Sequence, residues 1–184
     1  MSHLRLVPAL PGPRMTDDEA CLDAYQRQFD YVCRTLRRLG TGPAEVEDLA
    51  QEVFMVLRQV WAQYDSTRPL RPFLFGVAFR IASAHQRKRS REIAFGVADV
   101  HDLAPGPDDA LQSKQARALV LAALERIPLL RRAVLVMHDL DDVPMADVAA
   151  VLAIPRFTAY SRLRKARKEL EAAVRRLLKE SDER

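Results

Sequence analysis

Between Val46 and Trp61 the apolar residues Val46, Leu49, Ala50, Val53, Phe54, Leu57, Val60 and Trp61 recur every three or four positions. That period places them on one broad stripe of a helix, which needs a core to cover it. The opposite face carries Asp48, Gln51, Glu52, Met55 and Gln59, again three or four apart. Gly42-Pro43 and the acids Glu45, Glu47 and Asp48 make a good helix start, because proline needs no backbone donor there and carboxylates suit the positive end of the dipole. Two readings of the polar face stay open at this point: a solvated surface, or a docking face.

The same period governs most of the 184-residue chain and predicts an all-α fold, in a length that allows one medium domain or two small ones. Hydrophobic residues at 48% and charged residues at 29% mark a folded, globular chain. The net charge of +4 is too small to identify a nucleic-acid partner, so the distribution of charge must decide. Cys21 and Cys33 both fall on the apolar side of a helix and read as buried thiols of a reduced, cytoplasmic protein. Residues 1–15, broken by Pro8, Pro11 and Pro13, read as a disordered arm, neither a signal peptide nor a membrane span.

Thr16-Asp-Asp-Glu19 has the form of a capping box and opens a helix with Cys21, Ala24, Tyr25, Phe29, Val32, Cys33, Leu36 and Leu39 inward, stopped by Gly40 and Pro43. After the helix beginning near Pro43 and a loop at 65–69, a third helix runs from Arg71 through Phe73, Phe75 and Phe79 into the basic run Arg87-Lys-Arg-Ser-Arg91. No acid occurs between Asp65 and Glu92. Aromatic rings interleaved with uncompensated cations suit single-stranded nucleic acid, whose bases stack and whose phosphates need counter-charge; an aromatic core with a solvated basic end is the other reading. Residues 93–112, with Asp99, Asp102, Asp108 and Asp109 around Pro105-Gly-Pro107, read as an acidic linker. Two small helical domains, 16–92 and 113–184, are therefore expected, folded separately and held apart by that linker.

In the second domain helices are expected up to Pro128 and over 129–138, the latter with Leu130, Ala133, Val134 and Met137 inward. A short helix over 145–152 and a long one opened by Pro155 then form a helix-turn-helix. Ala159, Leu163, Ala166 and Leu170 make the packing seam of the long helix, and no acid lies between Asp147 and Glu169. Its outer side can enter a major groove, with its first residues at base edges. Phe157 on that helix either reaches a thymine methyl or fills a gap left by the small Ala159.

Asp48-Leu-Ala-Gln-Glu-Val-Phe54, Pro69-Leu-Arg-Pro-Phe-Leu-Phe75, the Arg-rich helix end, the acidic linker, Ile127-Pro-Leu-Leu-Arg131 and Thr158-Ala-Tyr-Ser-Arg-Leu-Arg-Lys-Ala-Arg167, in that order, resemble the extracytoplasmic-function (ECF) group of bacterial RNA polymerase sigma factors. The resemblance covers 16–178 and implies a sigma factor that binds core RNA polymerase, recognises and melts promoter DNA and directs transcription initiation. It assigns polymerase binding to Asp48, Gln51, Glu52 and Met55. It assigns the melted minus-ten element to Tyr64, Arg68, Phe73, Phe75, Phe79, Arg80, Arg87, Lys88 and Arg89. The duplex minus-thirty-five element falls to Arg156, Phe157, Thr158, Tyr160, Ser161, Arg162, Arg164 and Lys165. It also implies an anti-sigma protein, often membrane-anchored, as a partner. The chain departs from the family pattern at Phe73, Arg80 and Ala84 (usually Trp, Asn and Asp), at Ala153 and Phe157 (usually Gly), and at Ala159 and Tyr160 (usually Val and Lys).

Nothing in the sequence suggests an enzyme, a cofactor or a metal: the four histidines are scattered, and neither a phosphate-binding Gly-rich loop nor zinc-ligand spacing occurs. A polymerase-independent helix-turn-helix regulator accounts for 128–178 but leaves the Asp48–Glu52 face and the stretch 73–91 without a role. A helical adaptor that binds no DNA is the third reading.

Overall fold

The computed structural model describes residues 16–65, 67–94 and 111–183, and among them every regular element is helical. The arm at 1–15 and most of the acidic linker lie outside the described residues.

Helix α1, Asp17–Arg38, starts on the expected box: Thr16 N–H donates to Glu19 Oε2 at 2.8 Å, and Glu19 N–H to Thr16 Oγ1 at 3.3 Å. It ends in a Schellman turn. Gly40, with φ +93°, lets Thr41 N–H reach Leu36 O and its own N–H reach Arg37 O, both at 3.0 Å. A single 3₁₀ turn, Pro43–Glu45, leads into α2, Val46–Val60, which buries Val46, Leu49, Ala50, Val53 and Leu57. The Tyr25 hydroxyl donates to Ala50 O, and its ring lies 4.7 Å from that of Phe54, tying α1 to α2. Helix α3, Leu70–Ala94, buries Leu74, Phe75, Val77, Ala78 and Ala82 between these two helices.

The second half begins with α4, Leu111–Glu125, and α5, Leu129–Leu135, which runs into a π turn at Val136–Leu140 where a continuous helix was expected. Leu130, expected inward, is 52% exposed. Helices α6, Met145–Val151, and α7, Arg156–Asp182, form the helix-turn-helix; Met145, Val148 and Ala149 pack in the same core as Ala159, Leu163 and Ala166. Ion pairs Arg131–Glu169 and Arg167–Asp139, both 2.7 Å, fix α7 to the elements before it. The turn contains Ala153 at φ +50°, a left-handed conformation that crowds a Cβ. Ala153→Gly is expected to raise the unfolding free energy by about 0.5–1 kcal/mol, strain relief exceeding the added entropy of the unfolded chain. Equilibrium denaturation with an unchanged m-value would show it.

The halves are not held apart. One continuous core runs from Cys21 on α1 to Ala166 on α7. Gly76 on α3 faces Val151 on α6 so closely that a Cβ would lie 3.0 Å from Val151 Cγ1. Arg132, only 5% exposed, reaches across to donate to Leu39 O (2.7 Å), while also donating to Ile127 O and, through Nη2, to Glu125 O (2.7 Å). Burial brings its pKa down to about 10. Gln86 donates to the same Leu39 carbonyl at 2.8 Å, so α5 and α3 both cap the end of α1. Beyond the π turn, Asp141 accepts from Arg38 (2.7 Å) and from the Tyr31 hydroxyl (3.0 Å). Burial raises the Asp141 pKa against the opposing pull of those donors. The expectation that the halves stand apart rests on the loss of period in the linker, and a linker's composition does not report whether the surfaces it joins are complementary.

Candidate nucleic-acid and polymerase interface

Three surfaces carry the residues singled out in the sequence. On α2 the core stripe fixes the rotation of the helix, so Asp48, Gln51, Glu52 and Met55 all face outward, Met55 at 52% exposure. Neither Asp48 nor Glu52 is drawn into an ion pair with a described residue. A methionine flanked by free acids on a rigid helix is an adaptable apolar contact inside an anionic ring.

The second surface lies at the junction of α2 and α3. Trp61 stacks on Tyr64 (centroids 5.9 Å apart, planes at 16°), and Tyr64 meets Phe73 at 5.4 Å. The Tyr64 hydroxyl donates to Arg68 O at 2.7 Å, closing the loop, and Asp65 braces it through the backbone and hydroxyl of Thr67. Tyr64, Arg68 and Phe73 are thus brought together. Trp61, which packs against the core as its place in the stripe predicts, is half-buried and also joins the row; its position at the very end of the stripe was the available signal. Arg80, Arg87 and Lys88 are exposed along α3 and Arg89 is half-buried, with Lys88 near Glu92 at 3.8 Å.

Phe75 does not belong to this surface. It is fully buried, which removes it as a stacking platform in this arrangement. Phe79 is half-buried and packs against the core. Leu74 and Phe75 are consecutive on a helix covered on more than one side, and an aromatic there contributes roughly 1.5–3 kcal/mol of burial. Composition could not separate the outward rings from the inward one.

The third surface is the start of α7. Arg156, Phe157, Tyr160, Arg164 and Lys165 are exposed, Phe157 at 85% and Tyr160 at 55%, with Thr158, Ser161 and Arg162 half-buried beside them. Arg167 on the same helix is paired with Asp139, whose pKa that hydrogen bond lowers, but Arg156, Arg162, Arg164 and Lys165 form no ion pair with a described residue. Leu130 on α5 borders a groove of about 590 Å³ against Phe157, Ser161 and Lys165. Among the described residues no cluster of histidines, cysteines and acids is arranged to hold a metal. No helix among them is long and apolar enough to cross a membrane.

A helix carrying free acids, an aromatic and basic helix junction and a cationic helix-turn-helix define a two-part DNA-binding transcription protein. Family profiles agree: one described as Sigma-70 region 2 matches residues 22–92, and one described as Sigma-70, region 4 matches 117–170. Similar proteins include the RNA polymerase sigma factor NccH of Alcaligenes xylosoxydans xylosoxydans, 23% identical with 81% of this chain and 83% of the relative covered. The ECF RNA polymerase sigma factor SigW of Bacillus subtilis is 24% identical, with 88% and 92% covered. The fold is shared with the sigma factor RpoE from Bartonella quintana, solved in complex with the anti-sigma factor NepR, at a TM-score of 0.70 and 19% identity over 83% of this chain and 97% of that one. CnrH, solved in complex with the cytosolic domain of CnrY, gives 0.60 and 19%, over 84% and 87%. The chain belongs to the sigma-70 family. Within it, the chain is an ECF sigma factor: it binds core RNA polymerase, recognises and melts promoter DNA and directs transcription initiation.

Proposed function

We propose that these activities divide among the three surfaces. Asp48, Gln51, Glu52 and Met55 dock on core polymerase, Met55 as the apolar centre and the acids against basic residues. Tyr64, Arg68, Phe73, Phe79, Arg80, Arg87, Lys88 and Arg89, with Trp61, receive the melted strand: rings hold bases that leave the stack, and cations hold phosphates. Arg156, Phe157, Thr158, Tyr160, Ser161, Arg162, Arg164 and Lys165 meet the duplex upstream element. The chain acts by binding rather than by catalysis, in the cytoplasm, with 93–112 as the linker between 16–92 and 113–184. An anti-sigma partner is supported by the two related structures, RpoE being solved with the anti-sigma factor NepR and CnrH with the cytosolic domain of CnrY.

The observation that carries this reading is the set of unpaired cations at the start of α7, on a helix whose later arginines find acids. Cations left without internal partners are free to displace counterions from DNA. Replacing Arg164 or Lys165 by Ala is expected to weaken binding to all duplexes, with the slope of log K against log salt shallower by about one per contact. Arg156→Ala or Tyr160→Ala is expected instead to change which upstream sequence is preferred, by about 1–3 kcal/mol for a good base contact. Binding by the assembled holoenzyme at graded salt, with a promoter library, measures both. Variants at 156 and 160 that lose affinity without changing preference would move specificity to the first domain.

A further inference from the structure

Among the described residues Phe157 is the most exposed large apolar side chain. The role of gap filler beside Ala159 is closed to it: Ala159 is 0% and Leu163 4% exposed, so the seam is complete without the ring. Phe157 is the second residue of α7, and Ser161 and Arg164, four and seven residues on, share its face. On its other side stands Leu130, 52% exposed across a groove whose lining also includes Pro128, Leu129, Arg162 and Lys165.

A phenyl ring has no donor for a phosphate and no hydrogen bond to give a base edge. In a major groove the one apolar feature is the C5 methyl of thymine, which such a ring can cover. Uncompensated cations around the ring argue for DNA as its cover, since the centre of a protein interface is depleted of charge. We propose that Phe157 is a specificity-determining residue that packs on a thymine methyl of the duplex upstream element, while Arg162 and Lys165 hold the flanking phosphates. The proposal rests on the assignment of α7 to that element.

The test uses the full chain assembled with core polymerase. An upstream element is first selected from a randomised duplex library, and each of its thymines is then replaced singly by deoxyuridine, which keeps the pairing and deletes the methyl. At one position the replacement is expected to weaken wild-type binding about fourfold, the worth of one buried methyl-sized group. Phe157→Ala is expected to bind every thymine-to-deoxyuridine pair of duplexes equally. The ring is exposed, so this variant keeps its fold, which its melting curve checks. Wild-type binding indifferent to deoxyuridine throughout, or a penalty that persists in Phe157→Ala, overturns the proposal. Loss of polymerase assembly in Phe157→Ala with the penalty intact overturns it in favour of a protein contact. A library that enriches no upstream sequence overturns the reading of α7 itself.

Discussion

Reversing Asp48 and Glu52 to Lys together is expected to weaken assembly with core polymerase by about two orders of magnitude or more, because like charges placed across an interface cost several kcal/mol. Both side chains are exposed and neither is drawn into an ion pair with a described residue, so the far-ultraviolet dichroism should stay helical. Met55→Ala should add a smaller loss through faster dissociation, and Gln59→Lys, further along the helix, serves as a surface control. Native gel shift with core enzyme measures assembly. An Asp48→Lys/Glu52→Lys chain that assembles as the wild type does would place the docking surface elsewhere.

Substitutions where α1 meets α5 should have the largest effects on stability. At Gly40 a Cβ would lie 2.3 Å from Arg132 Nη1, and φ +93° is costly for any L side chain. Gly40→Ala is expected to cost about 2–4 kcal/mol, the left-handed backbone and the displaced guanidinium together. Arg132→Ala strips three carbonyls of a charged donor and should cost about 3–5 kcal/mol. Part of the Gly40→Ala cost is the collision with Arg132, so the double variant should fall short of additivity by about 1–2 kcal/mol. Calorimetry of the four proteins gives the cycle. Strict additivity would mean that the guanidinium moves aside freely and does not tie α1 to α5.

Much of the architecture was legible in local chemistry. The capping box at Thr16, the stop at Gly40, the stripe of α2 and the seam of α7 follow from residues within a few positions of one another, where periodicity and capping act. The exposure of Asp48, Glu52 and Met55 followed from that stripe. What was not legible depends on partners distant in the chain. Phe75 and Phe73 look alike in sequence, and only the packing of α3 against α1, α2 and α6 sends one ring inward and leaves the other beside Tyr64. Arg132 sits in an apolar run with no local sign that its guanidinium would cap another helix, 93 residues earlier. Period assigns Leu130 inward with Ala133, Val134 and Met137, but it lies in the first turn of α5, where it borders the groove at the start of α7 instead of the core. The departures from the family pattern were also legible: Ala153 stands where glycine is usual and takes the backbone angle that glycine would take.

The contact of Gly76 with Val151 has a consequence for reach. Residues three before and four after Gly76 lie on its side of α3, and these are Phe73 and Arg80, so α6 rests between two of the side chains assigned to the melted strand. Elements named for positions ten and thirty-five would stand about twenty-five base pairs apart, roughly 85 Å at a rise of about 3.4 Å per pair. A compact chain of this length has a radius of gyration near 16 Å, by the usual scaling. On the proposed division of surfaces, the form in which the halves share one core is too short to reach both elements of a straight duplex at once. Whatever fraction of molecules is already unclasped sets the apparent affinity for a promoter, in direct proportion. On the same proposed division, a partner that grips the clasped form would silence the chain without competing for a single base, and one that prises α6 from α3 would license it.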